Sequence, residues 1–362
     1  MVRPILTIGV PTFNRVELLP AFFESLISAV EPLASHIVID ISDNCSDDGT
    51  EDLCRAIAES ENSVQFRYFR NEKNIGNVAN IVSLIENSQT DYFMFLGDDD
   101  FIDAEALETL ISLLHAVQPS AVIQTTWDEF AERQSGFGTF DESLQYFYEF
   151  GNAWAGVMHA AAAREDLLDE KLKEAVLQTA WPQTALGYRA MWRLKERKSP
   201  YLLNQRLGGQ YTFASERIRE SEYWIKSLEG LLIAAQLVDE VCQDNRVLRS
   251  FVRFRNPAFR SRLRLIALEC AIDSKRVHEC ESVVSHLVGL NRLRVGFWSV
   301  LLREACAGSR LNHLLPYYYA IRNRLRIEDA RGLIRTRTSD RELEIKIMKE
   351  EGRISAIEGL GL

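Results

Sequence analysis

The sequence predicts an α/β fold: an open, mostly parallel sheet in the first part of the chain, followed by an all-α second part. Three observations carry this. Short apolar runs alternate with helical periodicity from Ile5 to Thr126, as βαβ units require. Polar, loop-forming clusters follow the apolar runs. Strand-like signals then stop after Gly208-Gly209. The expected domains are residues 1–215 and 216–362.

Ile5 to Val10 is a β-branched apolar run halted at Pro11, which reads as a buried strand. Residues 16–30 carry helical spacing through Leu18, Leu19, Phe22, Phe23, Leu26, Ile27 and Val30. His36 to Ile41 is a second strand, and the polar turn Ser42 to Thr50 ends in a helix start that leads through Leu53, Ile57 and Ala58. Val64 to Phe69 is a third strand, followed by the loop Asn71–Asn77 and a helix bearing Val78, Ile81, Val82 and Ile85. Tyr92 to Leu96 is the fourth strand. A helix over 103–117 and a strand over 121–126 continue the alternation. Further on, Arg164–Leu177 and Tyr223–Val241 have helical spacing.

The fourth strand runs into Gly97-Asp98-Asp99-Asp100. Adjacent carboxylates repel one another, so something must offset the cost. A divalent cation takes such hard oxygen ligands; opposite charges elsewhere or a solvated acidic turn would also serve. In open parallel sheets ligands bind beyond the carboxyl ends of the strands. Pro11–Arg15, Asp43–Gly49 and Asp98–Asp100 all fall there, so they can share one crevice.

The 362 residues are ample for a core. No run of eighteen apolar residues is present, so no membrane span is expected, and the N-terminus reads as a strand rather than a signal peptide. The six cysteines, Cys45, Cys54, Cys242, Cys270, Cys280 and Cys306, are scattered with no Cys-x-x-Cys pair. That argues for free thiols in a reducing, cytoplasmic setting. The net charge of -10 hides an asymmetry: Arg246–Arg341 holds 20 Lys+Arg against 8 Asp+Glu. This basic half either meets an anionic partner or complements the acidic half.

Four stretches, Val10-Pro11-Thr12-Phe13-Asn14-Arg15, Ser42 to Thr50, Arg70 to Asn80, and Gly97-Asp98-Asp99-Asp100, occur in the order of the signatures of family 2 glycosyltransferases with the GT-A fold. Over residues 4–130 the chain resembles that family, and the Gly-Asp-Asp-Asp wording is closest to its bacterial surface-polysaccharide, abequosyltransferase-like branch. The resemblance implies a Rossmann-like nucleotide-sugar-binding domain. It implies transfer of a sugar from a nucleotide-sugar donor to a glycan or lipid-linked acceptor, by an inverting, Mn2+- or Mg2+-dependent reaction. Pro11, Thr12, Asn14 and Arg15 would line the nucleoside pocket, and Asp43 would accept from the base. Asn77, with Asn74 and Asn80, would add polar donor contacts. Asp98 would face the ribose and Asp100 the metal, with Asp99 suited to either role.

The family's general base is an aspartate further along, but the corresponding neighbourhood, Gln178 to Thr184, has no carboxylate. Weak candidates are Asp141, His159 and Glu174, with Glu142, Glu165 and Asp166 nearby. A catalytically silent relative is the alternative this departure supports. A sugar-phosphate nucleotidyltransferase is less well supported, since Pro11 to Arg15 is not a glycine-rich phosphate loop.

The arginines and aromatics of Val247 to Arg264 form a basic amphipathic stretch suited either to an anionic membrane surface or to packing on the acidic domain. No nucleic-acid-binding pattern accompanies it. The charged tail, Arg341 to Leu362, is a candidate for homo-oligomer packing.

Overall fold

A computed structural model describes residues 3–60, 63–124, 134–144, 156–205, 207–210 and 221–243. The expectations for the basic stretch and the tail fall outside these residues. Among the described residues no helix is long and apolar enough to cross a membrane.

The main sheet has strand order β3-β2-β1-β4-β8-β6-β9-β7. Its first four strands are β1 (Leu6–Thr12), β2 (Ile37–Asp43), β3 (Gln65–Arg70) and β4 (Tyr92–Phe95). They run parallel, with Leu6 opposite both Ile37 and Tyr92. Every residue of β1 and β2 is buried, which explains why these parallel strands read as continuous apolar runs. The remaining strands are short: β6 (Ala121–Gln124), β7 (Gly136–Phe137), β8 (Val157–His159) and β9 (Tyr201–Leu203). β8 is antiparallel to both β4 and β6, β9 is parallel to β6, and β7 closes antiparallel to β9. The parallel expectation thus describes the first half of the sheet, and the second half is mixed.

Helices α1 (Leu19–Val30), α2 (Thr50–Glu59), α3 (Asn77–Asn87) and α4 (Ala104–Val117) alternate with these strands. One sheet face presents Leu6, Ile8, Ile39, Ile41 and Met94 to Phe22, Phe23 and Leu26 of α1 and to Leu107, Leu110 and Leu114 of α4. On the other face Gly9 meets Phe93 and Leu84 of α3; a side-chain carbon at Gly9 would lie 2.5 Å from the Phe93 ring. That face also holds a polar pair: Arg67 forks onto buried Asp40 at 2.7 and 2.5 Å.

The helix read over 16–30 starts later, at Leu19, because the amides of Arg15 and Val16 are held by side chains of the next loop. The helix read over 164–177 is two helices, α5 (Ala160–Asp166) and α6 (Glu170–Leu177). Asp169 breaks it by capping α6, accepting from Lys171 and Leu172. Thr139 and Glu142 form a capping box for the helical turn at 140–144, with Glu142 Oε2 accepting from the Thr139 amide at 2.7 Å.

α7 (Pro182–Leu194) and α8 (Ser221–Cys242) complete the described helices. The chain divides into two compact units, Met1–Ala214 with Gly230–Leu248, and Ser215–Glu229 with Arg249–Leu362. The second half of α8 therefore belongs to the same unit as the sheet. Gly230 packs on Ala180 with no room for a side chain, and Arg189 donates to the Leu237 carbonyl at 2.7 Å.

His159 lies beside Tyr92 at the start of β4, its ring 5.5 Å from the tyrosine ring in an edge contact. Its Nδ1 is buried without a partner. Burial, together with Lys198 and Arg164 and against the pull of Asp91, lowers its pKa. The folded state therefore holds fewer protons than the unfolded one. Stability from this site is full above the ordinary histidine pKa of about 6.5 and is lost as pH falls from there. The thermal midpoint is expected to drop between pH 7 and 5.5, and His159→Gln should flatten that slope in a melting series.

Candidate functional site

The carboxyl ends of β1, β2 and β4 bring three loops together. Thr12, the last residue of β1, donates from Oγ1 to Asp98 Oδ2 at 2.8 Å, and Arg15 Nε stands 3.5 Å from the same oxygen. Pro11 is buried within β1. Asn14 lies in the left-handed region at φ 52°, Cys45 faces it from the second loop at φ 67°, and Phe13 is exposed. Two non-glycine residues in that region within one crevice mark a backbone held by its surroundings.

What holds it is a set of side-chain oxygens. The amide of Asn14 donates to Ser46 Oγ (2.8 Å), that of Arg15 to Thr50 Oγ1 (3.0 Å) and that of Val16 to Asp48 Oδ2 (3.1 Å). The Ser46 hydroxyl donates in turn to Asp43 Oδ1 at 2.5 Å, and that of Thr50 to Asp48 Oδ1 at 2.6 Å. Burial raises the Asp48 pKa, but the hydrogen bonds from Thr50 and Val16 outweigh it and hold the carboxyl below its usual range.

Asp43 ends β2 with both carboxylate oxygens engaged. Its side chain has no exposed surface, Oδ1 accepts from Ser46, and Oδ2 accepts from Tyr68 at 2.8 Å, with Arg70 Nε at 3.7 Å. Burial first, then the fields of Asp43, Asp98 and Asp48, push the Cys54 thiol up to about 12.

The triplet itself separates into three environments. Asp98 is buried against Thr12 and Arg15. Asp100 opens strand β5 (Asp100–Ile102), which pairs with β10 (Gly208–Gln210) so that Gln210 faces Asp100. Its Oδ2 accepts from the Gly97 amide at 3.2 Å. Asp99 is half-buried beside it. A side-chain carbon at Gly97 would lie 2.7 Å from Asp100 Oδ2 and 2.9 Å from Asp99 Oδ1. Both oxygens thus crowd the space that only a glycine leaves empty.

The third loop is braced by asparagines. Asn44 bonds Asn74, Asn71 and the Ile75 amide, while Asn80 is buried against Ser42 and Asn71. Of the three expected donor contacts, Asn80 is structural and Asn74 braces the loop. Asn77 is exposed at the first turn of α3. Asn44 and Asn71 were missed, since nothing in their spacing separates a brace from a loop residue.

The base candidates are not in the crevice. His159 is opposite Tyr92, the first residue of β4, whereas the triplet follows its last; at about 3.3 Å per residue the offset exceeds 10 Å. Asp141 follows β7, which runs against β9 and leaves the sheet at the amino edge, where Gly138 bonds Pro200. Glu174 is exposed on α6, next to Lys173, which pairs with Glu86 at the far end of α3. Glu142 serves its capping box, and Asp166 is buried between Arg189 and Arg193. Glu165 is paired with Arg193 nearby. α7 ends beside Phe140 before the chain re-enters the sheet at Tyr201. Its first turn, Trp181–Thr184, therefore points toward the carboxyl edge, and it carries no carboxylate there.

Residues 7–171 match the model of glycosyl transferase family 2. Over 110 residues the chain is 32% identical to the abequosyltransferase RfbV of Salmonella typhimurium, covering 30% of this chain and 32% of that protein. It is 30% identical over 110 residues to an uncharacterized glycosyltransferase of Haemophilus influenzae, covering 30% of this chain and 34% of the other. The chain thus matches about a third of the length of these relatives. Among solved structures, S. aureus TarS 1-349 superposes with a TM-score of 0.50 at 11% identity, covering 98% of this chain and 92% of that one. The sheet with its carboxyl-edge crevice is the GT-A fold.

Proposed function

We propose that the chain transfers a sugar from a nucleotide-sugar donor to a glycan or lipid-linked glycan acceptor, with inversion and with a divalent cation, Mn2+ or Mg2+. One observation carries the cation requirement. In a dinucleotide-binding crevice the pyrophosphate rests on free loop amides and a helix N-terminus. Here the amides of Asn14, Arg15 and Val16 are all taken by side-chain oxygens. The start of α2 is capped by Asp48 and followed by Glu51 and Asp52. A diphosphate approaching three aspartates therefore needs positive charge placed between them.

The residues present fit such a cation. Asp99 and Asp100 offer hard oxygens side by side over Gly97. Among the described residues no cluster of three metal-ligating side chains exists. That suits a cation held by one or two carboxylates, with phosphate and water completing its shell. When bound, such an ion neutralises the leaving nucleoside diphosphate as a Lewis acid. Asp98, fixed by Thr12 and Arg15, is the better partner for the ribose. Asn14, Arg15 and Asn77 line the donor side, and Asp43 holds the Asn14 amide through Ser46. The named abequosyltransferase relative supports sugar transfer as the reaction class.

The test is binding of a nucleotide-sugar panel with and without Mn2+ or Mg2+, followed by turnover on glycan acceptors. Metal-dependent binding is expected for one nucleotide. Wild-type protein that binds none, in either condition, sinks the donor-site reading. Binding without any hydrolysis or transfer would favour the silent relative.

A further inference from the structure

We infer that Ser46 and Thr50 are positioning residues for donor binding, each acting as a relay between the β1–α1 loop and a carboxylate. The inference rests on the donor-site reading above and adds how the loop is set. The two relays have the same build. The Asn14 amide donates to Ser46 Oγ, which donates to Asp43 Oδ1. The Arg15 amide donates to Thr50 Oγ1, which donates to Asp48 Oδ1. The other oxygen of Asp48 takes the Val16 amide directly. Each hydroxyl thus accepts one hydrogen bond and donates another, and the donated one is charge-assisted, which makes it the stronger of the two.

Ser46 and Thr50 are buried, so water does not compete for either link. A return bond runs from the Asp47 amide to Asn14 Oδ1 at 3.0 Å, and the Asn44 amide bonds the Thr12 carbonyl. The relays therefore fix the left-handed turn at Asn14, which the loop would not keep alone. They also aim Arg15 at Asp98. Asp43 and Asp48 act at one remove: they anchor the hydroxyls that anchor the loop. A merely structural turn cap would need only one such oxygen, whereas here three successive amides are gripped.

The experiment compares wild type with Thr50→Val, which keeps the shape and removes the hydroxyl, and Thr50→Ser, which restores it. The probes are UDP, GDP and CDP, each with Mn2+, titrated calorimetrically, with donor KM and kcat measured on the nucleotide sugar. Leaving the Arg15 amide without its partner, and Asp48 Oδ1 with the Thr50 amide alone, weakens binding about tenfold. Thr50→Val should raise Kd and donor KM by about that factor while kcat changes little, and Thr50→Ser should return both. Arg164→Ala, which removes a bond to the Ser88 carbonyl away from the crevice, is the stability control and should leave Kd unchanged. Should Thr50→Val not fold, Ser46→Ala reads the other relay. Wild type that binds while Thr50→Val and Ser46→Ala bind equally well overturns the relay alone. Wild type that binds no nucleotide overturns the donor-site reading and the relay with it.

Discussion

Asp100→Ala is expected to reduce sugar transfer on the order of a thousandfold, the scale lost when charge stabilisation is removed from a reacting centre. Its fold should persist. Asp100 is only half-buried; its side chain accepts from the Gly97 amide, and the Asp100 amide returns to the Gly97 carbonyl at 3.1 Å. The backbone half of that exchange survives the substitution. Asp98→Ala should behave differently, because it strips a partner from both Thr12 and Arg15 and loosens the loop they belong to. The two variants separate by donor affinity measured against metal concentration. Asp100→Ala should lose the metal dependence, whereas Asp98→Ala should keep it at a weaker affinity. Turnover of Asp100→Ala within a few-fold of wild type would remove this carboxylate from the proposed chemistry.

The crevice was legible because its strands are buried on both faces and so stop visibly at Pro11, Ser42 and Gly97, where polar loops begin. What lies on those loops could be named, but not how it points. Asp43 and Asp48 read alike as turn carboxylates, yet one is fully buried and the other caps α2 from the surface. Burial of that kind depends on Tyr68, which arrives from β3 and shares no local pattern with Asp43. The second half of the sheet was not legible for a different reason. β7, β8 and β9 have two or three residues each, too few for a period of two to show. Without β8 running backwards beside β4, His159 looked close to the triplet, and the antiparallel register sends it to the opposite edge. Thr139 and Glu142 did carry a readable capping signature.

Asp166 shows how far a carboxylate's location changes its meaning. On sequence it was one of several acids near the missing base. In the structure its side chain has no exposed surface, Oδ2 accepts from Arg189 Nε at 2.8 Å, and Oδ1 accepts from Arg193 Nε at 2.6 Å. Arg189 is itself nearly buried, and its other end holds the Leu237 carbonyl of α8. One anion thus joins α5 to α7, and α7 in turn to the second half of α8. Asp166→Asn keeps the shape and removes the charge, leaving Arg189 buried against a neutral amide. Breaking a buried pair in this way costs about 3–5 kcal/mol, far more than the pair contributes net, because the remaining charge has lost its compensation. Urea or thermal unfolding should show a loss of that size. The double variant Asp166→Asn/Arg189→Met, with the stranded cation gone, should recover a good part of it. A single variant as stable as wild type would mean that Arg189 reaches water after the change. The cost therefore depends on α8 staying packed over the arginine, and the recovery in the double variant measures how tightly it does.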